Sequence, residues 1–100
     1  MKFIIEFKFC KCKKMRFISH LDLMRLFMRA LRRAMIPVMI TQGFNPHPKL
    51  SLKRALKLGI ESDNEIGQVI LKEPLSAEEF IRRINAVLPD GVRVISARIC

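Results

Sequence analysis

The first residues of the chain alternate between apolar and polar positions, which is the pattern of a β-strand with one buried face. In KFIIEFKF (residues 2–9) every odd-numbered position is apolar, whereas charges such as Lys2 and Glu6 occupy even-numbered ones. This segment predicts the first strand. The basic CKCKK (residues 10–14) predicts a connection, and MRFIS (residues 15–19) predicts a short strand or an extension of the first.

A helical period replaces the alternation from Ser19 onward. The Ser19 hydroxyl is placed to cap the first turn, and Asp22 follows as a shorter form of the capping-box acid. Apolar residues recur at helical spacing from Leu21 to Met35, and Pro37 ends the helix because the residue before a proline is driven out of the helical region. Another face of the helix carries arginines at four- and three-residue steps, Arg25, Arg29 and Arg32. This line suits phosphate contacts; the alternative is a solvated outer face.

The rest of the chain adds strands and one more helix. The pattern predicts a short strand over VMIT (38–41), an extended segment within LSLKRALKLGI (50–60) and a turn at ESDN (61–64). A strand over EIGQVILKE (65–73) follows, and then a helix with a capping box from Ser76 to Glu79. The chain continues with a turn at PDG (89–91) and a last strand over VRVISARI (92–99). This order is that of the split βαβ, ferredoxin-like fold. We predict an α+β domain, βαββαβ, with a mostly antiparallel sheet and two helices on one face.

Charge divides the chain into two unequal parts. The net charge is +10; residues 1–60 hold 14 Lys/Arg against Glu6 and Asp22, whereas residues 61–100 hold 5 Lys/Arg against 7 Asp/Glu. This one-sided field favours a polyanionic partner, such as nucleic acid, an acidic membrane surface or an acidic protein; the alternative is a basic surface that only aids solubility. Arginines interrupt the most apolar region and the N-terminal apolar run is short, so we expect no membrane span, no signal peptide and a cytoplasmic protein.

Residue types that serve common catalytic and metal sites are sparse. The chain has two His and three Cys, no Tyr and no Trp, and it lacks the nucleophile-elbow, Walker A and dinucleotide-binding motifs. Cys10 and Cys12 are too closely spaced for a usual structural zinc pair, and His20 and His47 are far apart in sequence. We therefore expect reduced thiols, no metal and no resident cofactor.

The segment QGFNPHPKLS (residues 42–51) concentrates turn-forming and chemically versatile side chains. Gly43 permits a close backbone approach, and the two prolines stiffen the segment. Stiffness would fix the directions of Phe44, Asn45 and Lys49, which suit base stacking, base-edge recognition and a phosphate contact. The alternative is a rigid crossover with Phe44 in the core and Asn45 satisfying its own turn.

Two stretches, RFISHLDLMRLFMRALRRA (16–34) and QGFNPHPKLS (42–51), together resemble the radical-SAM-linked protein family. These are uncharacterised bacterial domains encoded beside, or fused to, a B12-binding-type radical S-adenosylmethionine (SAM) protein. LGIES…E (58–65) and LPDGVRV (88–94) extend the resemblance over nearly the whole chain. It supplies no reaction and no catalytic residues. Its motif positions, taken as candidates for a ligand site, include Ser19, His20, Asp22, Gln42, Gly43, Phe44, Asn45, His47 and Ser51.

The chain departs from the family pattern after Ser51. Lys53, Arg54 and Lys57 make this region more basic than the resemblance implies, and Gln68 stands where an acid is common. These departures strengthen the hypothesis of a polyanionic partner. Family members are generally longer, so residues 1–100 form either one complete domain or an N-terminal fragment of a longer one.

The leading hypothesis is that the chain is an accessory domain that works with a radical SAM protein. In this hypothesis it binds RNA, either tRNA or rRNA. The CxxxCxxC motif of the radical enzymes is missing, so the chain is not expected to be the enzyme itself. The candidate RNA-binding residues are Arg25, Arg29, Arg32, Lys49, Lys53, Arg54 and Lys57.

Two alternatives remain open. In the first, the two motif segments form a protein–protein adaptor that docks the radical SAM enzyme, and the charge is incidental. In the second, His20, Asp22, Asn45 and His47 converge in a small-molecule or catalytic pocket. We also expect QGFNPHPKLS to lie beside the capped end of the first helix. The sequence leaves the oligomeric state open.

Overall fold

The computed structural model describes residues 3–53 and 62–100. In this part of the chain the elements follow the predicted order: β1 (Phe3–Lys11), a 3₁₀ helix (Lys13–Phe17), α1 (His20–Arg33), β2 (Leu50–Leu52), β3 (Ser62–Leu71), α2 (Ala77–Asn85) and β4 (Val92–Ile99). The strands form one sheet in the order β2-β3-β1-β4, and neighbouring strands are antiparallel. The predicted α+β class is confirmed, and the topology is compatible with the ferredoxin-like fold.

The alternation in β1 places the core on one face of the sheet. Ile5, Phe7 and Phe9 are each 1% exposed, and they point toward the helices because successive strand residues face opposite sides. The Phe7 ring packs against Phe9, Phe27 of α1 and Phe80 of α2 at centroid distances of 5.4 to 5.8 Å. Both helices therefore cover the same face of the sheet. We call the other face, made of the intervening residues, the open face.

Both helices begin at the serines that the sequence indicates. Ser19 Oγ accepts a hydrogen bond from the Asp22 amide at 3.1 Å, and Ser76 Oγ accepts one from the Glu79 amide at the same distance. Each bond satisfies one of the amides that have no partner within the first turn of a helix. The predicted N-terminal caps are thus confirmed.

Two local predictions in the N-terminal half are wrong. Met15 to Phe17 lie in the 3₁₀ helix rather than in a strand, because Lys13 turns the chain with a φ of 54°. VMIT (residues 38–41) forms isolated bridges from Val38 and Ile40 instead of a regular strand. The apolar character of VMIT reflects packing at the sheet edge, where Val38 is buried.

The region between β2 and β3 also departs from its pattern. The turn expected at ESDN (61–64) is wrong for residues 62–64, because β3 already begins at Ser62. In the extended segment predicted over 50–60, Leu50–Leu52 is confirmed as β2. Residues 54–60 lie outside the described residues.

The side chain of Asn85, at the end of α2, is bonded to the backbone of β4. Its amide nitrogen donates to the Val94 carbonyl at 2.9 Å, and its oxygen accepts from the Val94 amide at 2.8 Å. β4 also contains a bulge: Lys8 pairs with Ser96 and Phe9 with Val94, so Ile95 is extra. The two Asn85 hydrogen bonds hold the end of α2 against β4.

Replacing Glu79 with glutamine is expected to make thermal stability less dependent on pH. The pKa of Glu79 is lowered to about 2, because Arg82 and Arg83 donate hydrogen bonds to its carboxylate. A lowered pKa in the folded state stabilises the protein above the usual value near 4.5, and this contribution is lost as the pH falls toward about 2. We expect Glu79→Gln to lower Tm at neutral pH, with a difference from wild type that shrinks between pH 4.5 and 2.

Glu78→Gln is the matched control, because it removes the adjacent carboxylate of the same helical turn. Among the described residues Glu78 forms no ion pair. A thermal melt series by circular dichroism over this pH range compares the two variants. Equal pH profiles for Glu79→Gln and Glu78→Gln would contradict the role of the Arg82 and Arg83 contacts.

Candidate nucleic-acid interface

The charged side chains on the open face of the sheet are mostly basic. The strand registers pair Glu6 with Gln68 and Arg98, and Ser51 with Gln68, so these four residues cross the sheet on the open side. Glu6 is the one acid among the described strand residues of this face, and it is paired with Arg98 at 2.9 Å. The cations that share this face on β1 and β4, or lie directly beside β2, are Lys8, Lys49, Lys53, Arg93 and Arg98.

Three adjoining pockets mark the open face. The first, of ≈ 300 Å³, is lined by residues that include Thr41, His47, Lys49, Ser51 and Gln68. A second, of ≈ 160 Å³, shares Ser51 and Gln68 and continues to Lys53 and Glu6. A third, of ≈ 180 Å³, lies between Glu6, Lys8 and Arg98. Together they form a trough from β2 to β4 that has cations along its length and is also lined by Ile66 and Ile70.

Residues 38–50 leave the edge of the sheet as a hairpin and return to it. The Thr41 amide donates to the His47 carbonyl at 2.8 Å, and the Lys49 amide donates to the Met39 carbonyl at 2.8 Å. The Thr41 hydroxyl also accepts from the His47 amide at 3.1 Å. We call the exposed turn over residues 42–46 the hairpin tip. The stem of this hairpin, at Thr41 and His47, lines the first of these three pockets.

The hairpin tip projects Phe44 into solvent. The phenylalanine is 110% exposed, so the alternative that placed it in the core is wrong. Gly43 has a φ of 134°, which side-chain-bearing residues rarely adopt. Pro48, by contrast, is fully buried at the base of the hairpin. The hairpin is therefore anchored by its base while its aromatic residue has no intramolecular packing.

His47 is oriented by the backbone of the hairpin. Its Nδ1 lies 3.1 Å from the Pro48 carbonyl oxygen. Because a carbonyl only accepts hydrogen bonds, this contact is a hydrogen bond when Nδ1 carries a proton. The imidazole thus adds a polar group to the pocket that Lys49 and Ser51 also line.

The two sequence motifs lie at opposite ends of the sheet. Val38, which leads into the hairpin, bridges Leu71, and Leu71 pairs with Phe3 at the start of β1. Ser19 instead follows the far end of β1, after the 3₁₀ helix. The nine residues of β1 span ~25 Å at a strand's rise per residue. The expectation that QGFNPHPKLS lies beside the capped end of α1 is therefore wrong, and His20 and Asp22 do not converge with Asn45 and His47.

The arginine line of α1 lies on the side of the molecule away from the trough. α1 packs on the sheet through Leu23, Phe27 and Leu31, which are buried, so the exposed Arg25, Arg29 and Arg32 face outward from the helical layer. Arg25 forms an ion pair with Asp22 at 3.6 Å. The candidate basic residues are thus divided between two surfaces, Arg25, Arg29 and Arg32 on one and Lys49 and Lys53 on the other. Arg54 and Lys57 lie outside the described residues.

Sequence reasoning missed Lys8, Arg93 and Arg98 as members of the open face. The alternation in β1 and β4 marks each strand's two faces, but only the register shows which cations share a face with Ser51.

Sequence reasoning also missed two charged residues on the core side of the sheet, Lys11 and Glu65, which are 5% and 4% exposed. Glu65 Oε2 is buried without a hydrogen-bond partner. Lys11 continues the odd-numbered positions of β1, whose side chains point into the core, and this alternation was the available signal for its inward direction.

Within residues 3–53 and 62–100, no three or more His, Cys, Asp or Glu side chains lie close enough together to hold a metal ion. The cysteines Cys10, Cys12 and Cys100 are present as thiols. Neither described helix has the length and apolarity needed to cross a bilayer.

Residues 5–100 match the model of a family described as "Uncharacterized protein conserved in bacteria (DUF2344)". No curated protein and no solved structure matches the chain. The match covers both sequence motifs and every strand of the trough.

Proposed function

Since the chain belongs to the bacterial DUF2344 family, whose description names no activity, we propose from its own surface that it is a cytoplasmic RNA-binding domain. In this proposal it is an accessory domain of a radical SAM system and presents tRNA or rRNA to the radical enzyme. The association with that enzyme rests on the resemblance of the SHLD and GFNPHP segments to radical-SAM-linked proteins. The RNA-binding part rests on the open face.

The observation that supports RNA binding is the charge of the open face. Its five cations face one acid, Glu6, whose carboxylate is already paired with Arg98. The neighbouring sequence has the same bias, because residues 23–60 contain no Asp or Glu. Phosphates bound there would meet lysine side chains without competition from carboxylates of the same segment, and each contact would release condensed counterions from the RNA.

The trough also offers groups that distinguish RNA from a generic polyanion. Ser51, Gln68 and Thr41 present hydroxyl and amide groups beside Lys49. Such groups hydrogen-bond with ribose hydroxyls and base edges, whereas lysines position the phosphates. The open sheet face lacks exposed aromatic residues among its described strand positions, so stacking would have to come from outside the sheet.

RNA binding is tested with the purified protein and a salt titration. We expect binding to a mixed tRNA and rRNA preparation at low salt, with an observed affinity that falls linearly in a plot of log K against log salt concentration. Filter binding or fluorescence anisotropy measures both quantities. Absence of binding at low ionic strength would refute the proposal.

The adaptor function is the second candidate, and exposed apolar residues of the helical side favour it. Leu21 is 58% exposed and Met35 is 81% exposed, on the two ends of α1. Methionine and arginine are enriched in protein interfaces, and Met35 follows Arg32 and Arg33 in the sequence. Co-purification with the radical SAM protein that persists after nuclease treatment and in moderate salt would favour this function over RNA binding.

A further inference from the structure

The hairpin tip exposes an aromatic side chain that the fold does not use. Phe44 is 110% exposed, and it lies on a turn whose stem is fixed by the Thr41–His47 and Met39–Lys49 hydrogen bonds. Burial of a phenylalanine stabilises a fold, so leaving one in water forgoes a stabilising contact. The fixed stem limits the backbone freedom of the hairpin that binding would otherwise remove.

The surroundings of Phe44 favour a nucleobase over an apolar protein pocket. The tip places Gln42 and Asn45 on either side of Gly43 and Phe44, so amides rather than aliphatic side chains flank the ring. The stem leads into the pocket of Lys49, Ser51 and Gln68. An aromatic ring beside a basic groove is the arrangement with which proteins hold unpaired nucleotides, because every base has a face that can stack.

We propose that the hairpin tip and the adjoining pocket form a binding site for single-stranded RNA. An unpaired base stacks on Phe44, and the adjacent phosphate or ribose contacts Lys49, Ser51 and Gln68. This inference rests on the proposed RNA-binding function and adds the form of RNA that is bound. Base pairs inside a duplex are covered on both faces by their neighbours, so Phe44 adds affinity for unpaired segments and not for the interior of a duplex.

Substitution of Phe44 tests the inference with two RNA probes. The probes are a single strand of about 12 nucleotides, within the site sizes of single-strand binders, and the blunt duplex formed with its complement. Phe44→Ala should weaken binding of the single strand by roughly 5- to 150-fold, the range of one lost base–aromatic stack, and leave duplex binding unchanged. Because Phe44 has no intramolecular packing, the variant should fold like wild type.

Phe44→Trp provides a direct readout of stacking. The chain has no Trp and no Tyr, so this variant has one strong emitter, located at the hairpin tip. We expect Phe44→Trp to retain single-strand affinity and to lose emission intensity when the single strand binds, but not when the duplex binds.

Phe17→Ala is the matched control. Phe17 is 56% exposed at the opposite end of the sheet, and the Arg16 guanidinium covers its ring at 4.6 Å. We expect this variant to bind both probes like wild type. Equal losses in Phe44→Ala and Phe17→Ala would overturn the inference.

The outcomes separate this inference from the function on which it rests. If wild type binds RNA with salt dependence but Phe44→Ala binds the single strand equally well, the stacking site is refuted and the proposed function stands. If wild type binds neither probe but binds the mixed tRNA and rRNA preparation, only the single-strand site is refuted. If it binds none of these RNAs, both are refuted. If the emission of the Phe44→Trp variant is unchanged by RNA but responds to the radical SAM protein, the tip is a protein contact and the inference is wrong.

Discussion

Replacing Lys49 and Lys53 with glutamine is expected to weaken binding of single-stranded RNA about tenfold at 0.15 M salt. Each lost phosphate contact reduces the slope of log K against log salt concentration by about 0.7, because fewer counterions are released on binding. The two lysines flank β2 on the open face and line two adjoining pockets. The slope itself should therefore fall by about 1.4. Fluorescence anisotropy over a salt series measures both the affinity and the slope.

Arg29→Gln with Arg32→Gln is the control for this experiment. It removes the same amount of charge from the helical layer, on the other side of the molecule. We expect little change in affinity at 0.15 M salt beyond a small effect of net charge. If only the arginine pair weakens binding, RNA contacts α1 and the open-face interface is wrong; equal losses in both pairs would indicate a non-specific charge effect.

Replacing Gly67 with alanine is expected to lower the free energy of unfolding by about 1–3 kcal/mol, the usual result of overpacking a core. A Cβ on Gly67 would lie 2.5 Å from Phe7 Cζ and 2.8 Å from Leu52 Cδ2. The Phe7 ring is confined by three other aromatic rings, so it cannot move aside without disturbing the packing of both helices. Chemical denaturation followed by circular dichroism measures the loss.

The cause of that loss can be separated from a general effect of strand substitution. Gln68→Ala changes the next β3 residue, whose side chain is exposed, and should alter stability by less than about 0.5 kcal/mol. Phe7→Leu introduced together with Gly67→Ala removes the clashing ring atoms, so the double variant should lose less than the sum of the two single losses. Additive losses would show that the Phe7 contact is not the reason.

The sequence was sufficient for elements whose patterns are local. β1 and β4 were predictable because apolar residues alternate along them, and both helices because serine caps precede a helical period. The 3₁₀ helix was not predictable, because the φ of Lys13 depends on contacts with residues far along the chain. The Cys12 amide donates to the Gly91 carbonyl, and Lys13 forms an ion pair with Asp90.

The candidate site was predictable in its residues but not in its arrangement. The composition of QGFNPHPKLS indicated a stiff segment, and the structure anchors it at the buried Pro48 with Phe44 outside. The joining of Ser51 to Gln68 and Glu6 depends on strand pairing between residues far apart in the sequence. Pairing of this kind is set by the global register, which no local pattern encodes. For the same reason the sequence could not assign the arginines of α1 and the lysines beside β2 to opposite surfaces.

The contact between Asn85 and Val94 has a consequence for assembly. The outer edge of a sheet normally presents unpaired amides and carbonyls that can recruit a strand from another molecule. At β4 the amide and carbonyl of Val94 are already occupied by one side chain, and the extra residue at Ile95 interrupts the regular spacing of the remaining groups. A second chain could not pair with β4 at Val94 without breaking both bonds, so this part of the edge is protected against edge-to-edge aggregation.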